Sequence, residues 1–226
     1  MKRSDILWIG ILMILTSIVI VPQTRSVFET LTASYPYLMG FIKTAILASL
    51  GERLVHRIRK GTYFGDRGIV LKFMVWGILG MIFVIIFKVF ASGVAAAQTA
   101  RLLPFVTSAS FFGLLLTAFM TSILMNVFFA PTFMLLHRIT DRYIELGKGK
   151  INNILHVKFK DVVSHIDFHE FLRFVVLKTI PFFWIPAHTI TFMLPENYRV
   201  LMAAYLSIVL GILLSLAKPK EVNENK

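Results

Sequence analysis

Lys43 and Lys178 stand near the middle of two long apolar stretches, and no Asp or Glu takes a comparable mid-stretch position in the 226 residues. An ammonium group held against acyl chains costs about 2.5–3.5 kcal/mol even on lenient insertion scales, so each must turn toward a polar partner or a wet interior. Asn126, Arg173, Trp184 and His188 fall in similar surroundings, and with the two lysines they are the candidate lining of one pore or substrate-binding site. A cationic lining favours anions, and it lacks the mid-membrane carboxylate that proton- and cation-coupled carriers use. A structural alternative has the same groups bonding to carbonyls freed by Pro181 and Pro186, which would kink the helix that carries them.

Other chemistry is thinner. "HIDFHE" sets His165 and His169 four apart, a helical spacing that suits a metal. Asp167 with Glu170 three residues later describes a helix start as well, and no third ligand is signposted, so no metal is expected. Cysteine is absent, which excludes disulfides, thiolate metal sites and thiol nucleophiles. No phosphate-binding glycine loop, nucleophile elbow, H-E-x-x-H or paired acidic cluster is present, so neither an enzyme nor a cofactor is implied. "GTYFGDRG", Gly61 to Gly68, reads as a turn.

The elements that must hold these residues are membrane helices. Hydrophobic residues make up 57% of the chain and charged ones 16%, with a mean hydropathy of +0.75, too apolar for a water-soluble domain of this length. Six spans are expected near 6–22, 34–54, 68–94, 104–136, 169–193 and 198–217. They form one all-α transmembrane domain over 1–217. Residues 1–33 supply an extra anchor span and outer loop, 34–217 the core, and 218–226 a disordered basic and polar tail. Sixteen of the 24 Lys and Arg fall on the side of the N-terminus, against three (Arg25, Arg101, Arg199) opposite, which places both termini inside. The net charge of +12 is thus a topology signal, and nucleic acid is not an expected partner.

Small residues at helical spacing predict close helix packing at Gly77 and Gly80, and at Ser110, Gly113 and Thr117. Lys72 and Lys88 lie near span ends and can snorkel to headgroups. In the inner loop 137–164, the amphipathic "INNILHVKFKDVV" suits the membrane surface, lysines toward anionic headgroups, or else an ordinary solvated loop.

Trp184, Pro186, His188, Phe192, Pro195 and Tyr198-Arg199, followed by an apolar run, resemble the C-terminal signature of the family named after the Mpv-seventeen protein of the mitochondrial inner membrane and the twenty-two-kilodalton peroxisomal membrane protein. Tyr35-Pro36 leading to Gly51-Glu52 is similar to the family's first helix, and Arg67 with Gly77, Gly80 and "FKVF" (Phe87 to Phe90) to its second. Asn126 through Ala130-Pro131 falls where the family has Asp-Gln and then a proline. The likeness covers about residues 35 to 217. It departs where Ile185 separates Trp184 from Pro186, where Met125-Asn126 replaces Asp-Gln, where Met81 replaces a proline, and in the extra first span. The resemblance implies a small four-helix membrane protein linked to pore activity for small metabolites.

The expected function is therefore a small channel or facilitator for small, anionic metabolites, compatible with a homo-oligomer. The alternatives are a non-conducting structural or assembly protein and, more remotely, a lipid-modifying membrane enzyme. An uncleaved first span without an Arg- and Ser-rich transit peptide points to a bacterial inner membrane, with the mitochondrial inner membrane as the alternative.

Overall fold

A computed structural model describes residues 2–105 and 110–217, and among these every regular element is a helix. Residues 106–109 of the expected fourth span and the expected disordered tail at 218–226 lie outside the described residues.

Prolines set the first boundaries. α1 (Arg3–Ile20) gives way to α2 (Pro22–Ser34), and α2 to α3 (Pro36–Lys60), each proline standing in the first turn of the new helix, where its missing N–H costs nothing. α3 stops at Gly61, which takes the left-handed conformation (φ 77°) that a side chain disfavours. α4 (Ile69–Thr99) and α5 (Phe111–Phe128) follow. The stretch expected as one fourth span is divided. It breaks before α6 (Ala130–Leu146), because Pro131 cannot donate into the preceding turn, and α6 then runs through the first third of the expected inner loop. Three short helices come next: α7 (Ile151–Ile154), α8 (Phe159–Ser164) and α9 (Phe168–Glu170). Asp167 caps α9, its Oδ1 accepting the Glu170 N–H at 2.8 Å.

The fifth span changes its winding. Residues Phe171–Trp184 form a π-helix, π1, continued by α10 (Ile185–Met193). At their junction the Ile185 N–H bonds to the Ile180 carbonyl five residues back. Pro181 lies inside π1, and wider winding relieves the clash its ring would make with the carbonyl four residues earlier. Pro186 falls in the first turn of α10, so both prolines lie within the continuous helical run from Phe168 to Met193. α11 (Glu196–Ala217) returns after Leu194-Pro195.

Among the described residues, five helical stretches are long and apolar enough to cross a membrane: α1, α4, α5, the run from Phe168 to Met193, and α11. The expected second span, α3, is not among them. Its last third carries Glu52, Arg53, His56, Arg57, Arg59 and Lys60, and it is buried between α4 and α11. At the α3–α4 crossing the backbones nearly touch: a Cβ on Gly80 would collide with the Gly40 carbonyl oxygen, and one on Gly77 with the Phe41 ring. α1 contributes no buried residue, yet it is tied to the bundle. Trp8 Nε1 donates to the Leu50 carbonyl at 3.0 Å, Thr16 Oγ1 and the Tyr205 hydroxyl share a hydrogen bond of 2.7 Å, and Arg57 holds Asp5 at 2.8 Å.

Candidate functional site

A cavity of about 540 Å³ lies between α3, α4, α5, α6, the π1–α10 run and α11. Its lining on α3 runs from Thr44 to Lys60, about 24 Å at 1.5 Å per residue. Gly51, Ala48, Ala203, Ala204 and Gly211 give it room, because small residues on two neighbouring helices leave a gap that larger ones would fill.

At the deep end, Asn126 is fully buried. Its Nδ2 donates to the Ser122 carbonyl at 2.8 Å and to Ser122 Oγ at 3.2 Å, and its Oδ1 accepts from His188 Nδ1 at 3.2 Å. Ser122 Oγ in turn donates to the Ile185 carbonyl at 2.7 Å, so a polar circuit joins α5 to α10. Trp184 stacks on His188, with centroids 5.0 Å apart and planes 19° from parallel. Phe87 closes this end, packed 5.7 Å from His188 and 5.3 Å from Phe192.

Toward the other end stand Glu52 on α3 and His137 and Asp141 on α6. Next to them Asp66 bonds to Arg53 Nη2 at 2.8 Å and to His56 Nε2 at 2.9 Å, which ties the 61–68 turn to α3. In that turn burial first, and then a hydrogen bond to the Asp5 carboxylate, hold the Tyr63 phenol above its ordinary pKa. Five buried side-chain polar atoms have no hydrogen-bond partner among the described residues: Thr44 Oγ1, Ser49 Oγ, His137 Nδ1, Asp141 Oδ1 and Trp184 Nε1. All except that of Ser49 belong to residues lining this cavity. An unpaired buried polar atom costs about 1–3 kcal/mol, which a guest with hydrogen-bonding groups can recover.

A second cavity, about 190 Å³, lies against the far side of Phe87 and is lined by Lys43, Lys88, Glu196 and Arg199 among others. Lys43 Nζ reaches Thr32 Oγ1 at 3.4 Å and the Asn197 carbonyl at 3.5 Å, with the Phe28 ring centroid 5.1 Å away.

The six residues expected to share one site are therefore distributed. Asn126, Trp184 and His188 meet in the larger cavity, and Lys43 lines the smaller. Arg173 and Lys178 are exposed on the outside of π1 and line neither cavity. Exposed residues on π1 recur every five positions, at Leu172, Leu177 and Phe182, and Arg173 and Lys178 lie beside them on that outer face. Gly77 and Gly80 sit at the α3–α4 crossing. Gly113 is buried, Ser110 caps α5 by accepting the Gly113 N–H at 3.0 Å, and Thr117 donates to Gln98 Oε1 at 3.1 Å. His165 and His169 are exposed, with His165 Nδ1 committed to the Asp161 carbonyl at 2.6 Å.

Sequence reasoning missed Glu52, Phe87, His137 and Asp141. Glu52 had a signal, an acidic residue one turn before His56, but the expected second span stops at 54, which put it at a helix end. His137 and Asp141 share a helix face by their spacing of four, a pattern masked by assigning them to a loop.

No protein-family model matches the chain, and no curated protein or solved structure matches it either.

Proposed function

We propose that the protein is a small facilitator for small, anionic metabolites, embedded in a membrane as six spans with both termini inside. The observation that carries this reading is the cavity of about 540 Å³ whose lining residues hold four buried polar atoms without a hydrogen-bond partner among the described residues. A guest or water is the natural partner of such atoms. The smaller cavity backs onto the larger through Phe87, which makes that ring the gate between two vestibules. Charge selection belongs to the smaller, where Lys43, Lys88 and Arg199 outnumber Glu196; the lining acids and bases of the larger are balanced.

The shared side of the termini is supported by Asp5 at the start of α1 pairing with Arg57 near the end of α3, and by Gly211 of α11 lying against Val55. Ile151, Leu155 and Phe159 are exposed beside Lys150, Lys158 and Lys160, which suits contact with an anionic inner leaflet. Membership of the Mpv-seventeen family and a bacterial inner membrane, or else a mitochondrial one, belong to the same proposal.

The test is flux in proteoliposomes holding small carboxylate, phosphate and cationic solutes. Faster efflux of the anions supports the reading. Absence of any flux, or a preference for cations, overturns it and favours a non-conducting membrane scaffold, which the tightly packed Phe83–Phe87–Phe192 cluster would suit.

A further inference from the structure

We propose that Glu52, His137 and Asp141 form a binding site for a divalent transition-metal ion that bridges α3 and α6 in the wall of the larger cavity. One ligand atom from each residue lies within 4.8 Å of the others. Ligands around a tetrahedral zinc at 2.0–2.2 Å stand about 3.4 Å apart, so closing the set takes about an ångström of side-chain movement. His137 and Asp141, one helical turn apart on α6, already place Nδ1 and Oδ2 3.8 Å from each other.

The same residues make a poor hydrogen-bonded pair. At 3.8 Å the imidazole and carboxylate are too far apart for a direct hydrogen bond, and the buried His137 Nδ1 and Asp141 Oδ1 have no hydrogen-bond partner among the described residues. An imidazole nitrogen and a carboxylate oxygen left without a hydrogen bond at one spot, among the described residues, form an arrangement that a cation resolves once Nδ1 is the deprotonated nitrogen. Trp76 supplies the supporting contacts: its Nε1 donates to Glu52 Oε1 at 2.8 Å, and its ring packs edge-on against His137 with centroids 4.2 Å apart. It thereby orients the lone carboxylate from α3 and the ring from α6 together, the service that supporting residues give to metal ligands.

The donor set selects the ion. One imidazole nitrogen with two carboxylates suits zinc, iron or manganese, whereas calcium and magnesium want six or more oxygens. Three protein ligands leave a coordination position for water or for an anionic group in the cavity.

Metal binding to the full-length protein in detergent, stripped with a chelator and titrated with zinc chloride, tests the site without reference to flux. One zinc per chain is expected, with a rise in melting temperature. Asp141→Asn and His137→Gln should each weaken binding at least tenfold, and Trp76→Phe about tenfold. Double replacement of His165 and His169 by Ala should change nothing. Melting of each variant without metal establishes that it folds, and the visible spectrum of the cobalt-loaded wild-type protein reads the ligand field independently. Absence of saturable zinc binding, retention of binding in the Asp141→Asn and His137→Gln proteins, loss of binding on replacing His165 and His169, or equally tight calcium binding would each overturn the assignment.

Discussion

The two cavities on either side of Phe87 treat polar groups in opposite ways. In the smaller one the charges are largely answered by protein: Lys43 by Thr32, the Asn197 carbonyl and the Phe28 face, Lys88 by Glu196 at 2.9 Å, and Arg199 by the Leu194 and Phe192 carbonyls at 3.1 and 3.3 Å. Nearby, the Tyr198 hydroxyl donates to Glu29. In the larger one the walls are mainly apolar, yet Thr44, His137, Asp141 and Trp184 each keep a buried atom without a hydrogen-bond partner among the described residues. A buried charge that its neighbours satisfy can be architecture alone, whereas a buried polar atom without a protein partner can take water or a guest.

The largest expected effect tests the wall between them. Phe87→Ala should join the cavities and raise anion efflux from proteoliposomes at least tenfold, while costing about 3–5 kcal/mol of stability as a large-to-small change in a packed core. Unchanged efflux in folded protein would mean that the ring is not the gate. Next, Asn126→Leu should cost about 1–3 kcal/mol in detergent unfolding, because His188 Nδ1 and Ser122 lose their shared partner. A wild-type unfolding midpoint would show that the deep end of the larger cavity is not held by this circuit.

Lys43→Met separates charge from architecture in the smaller cavity. Replacing a desolvated ammonium with a side chain of similar length is expected to leave stability the same or higher, by about 1 kcal/mol, while the anion-to-cation flux ratio falls. Loss of stability with an unchanged ratio would make Lys43 structural. Lys178→Met, on the outer face of π1, should alter neither flux nor stability by more than about 0.5 kcal/mol. An effect as large as that of Lys43→Met would erase the distinction between the two lysines.

Much of the helical framework was legible along the chain. The apolar runs mark α1, α4, α5, the run from Phe168 to Met193 and α11, whereas α2 occupies the expected outer loop and α3 runs past the expected end at 54 to Lys60. The division at Pro131 was local, yet the continuous hydropathy around it concealed the break. The candidate site was legible in part. Asn126 and His188 stand out as polar residues in apolar helices, and they do meet. Arg173 and Lys178 stand out in the same way and do not join them, because apolar surroundings along the chain do not say which face of π1 a side chain occupies. Glu52 was discounted because it sits near a helix end, although α3 runs on to Lys60 and carries it along the cavity.

By itself the amino-acid sequence determined that the chain folds as long apolar helices and that cysteine chemistry is excluded, since hydrophobicity and residue type act position by position. Only the tertiary structure decided which polar side chains face each other. Glu52 meets His137 and Asp141 from a distant helix, and Phe87 divides two cavities, because contact depends on crossing points such as Gly40 against Gly80 and on the winding of each helix, and these are set by packing between segments remote in the chain.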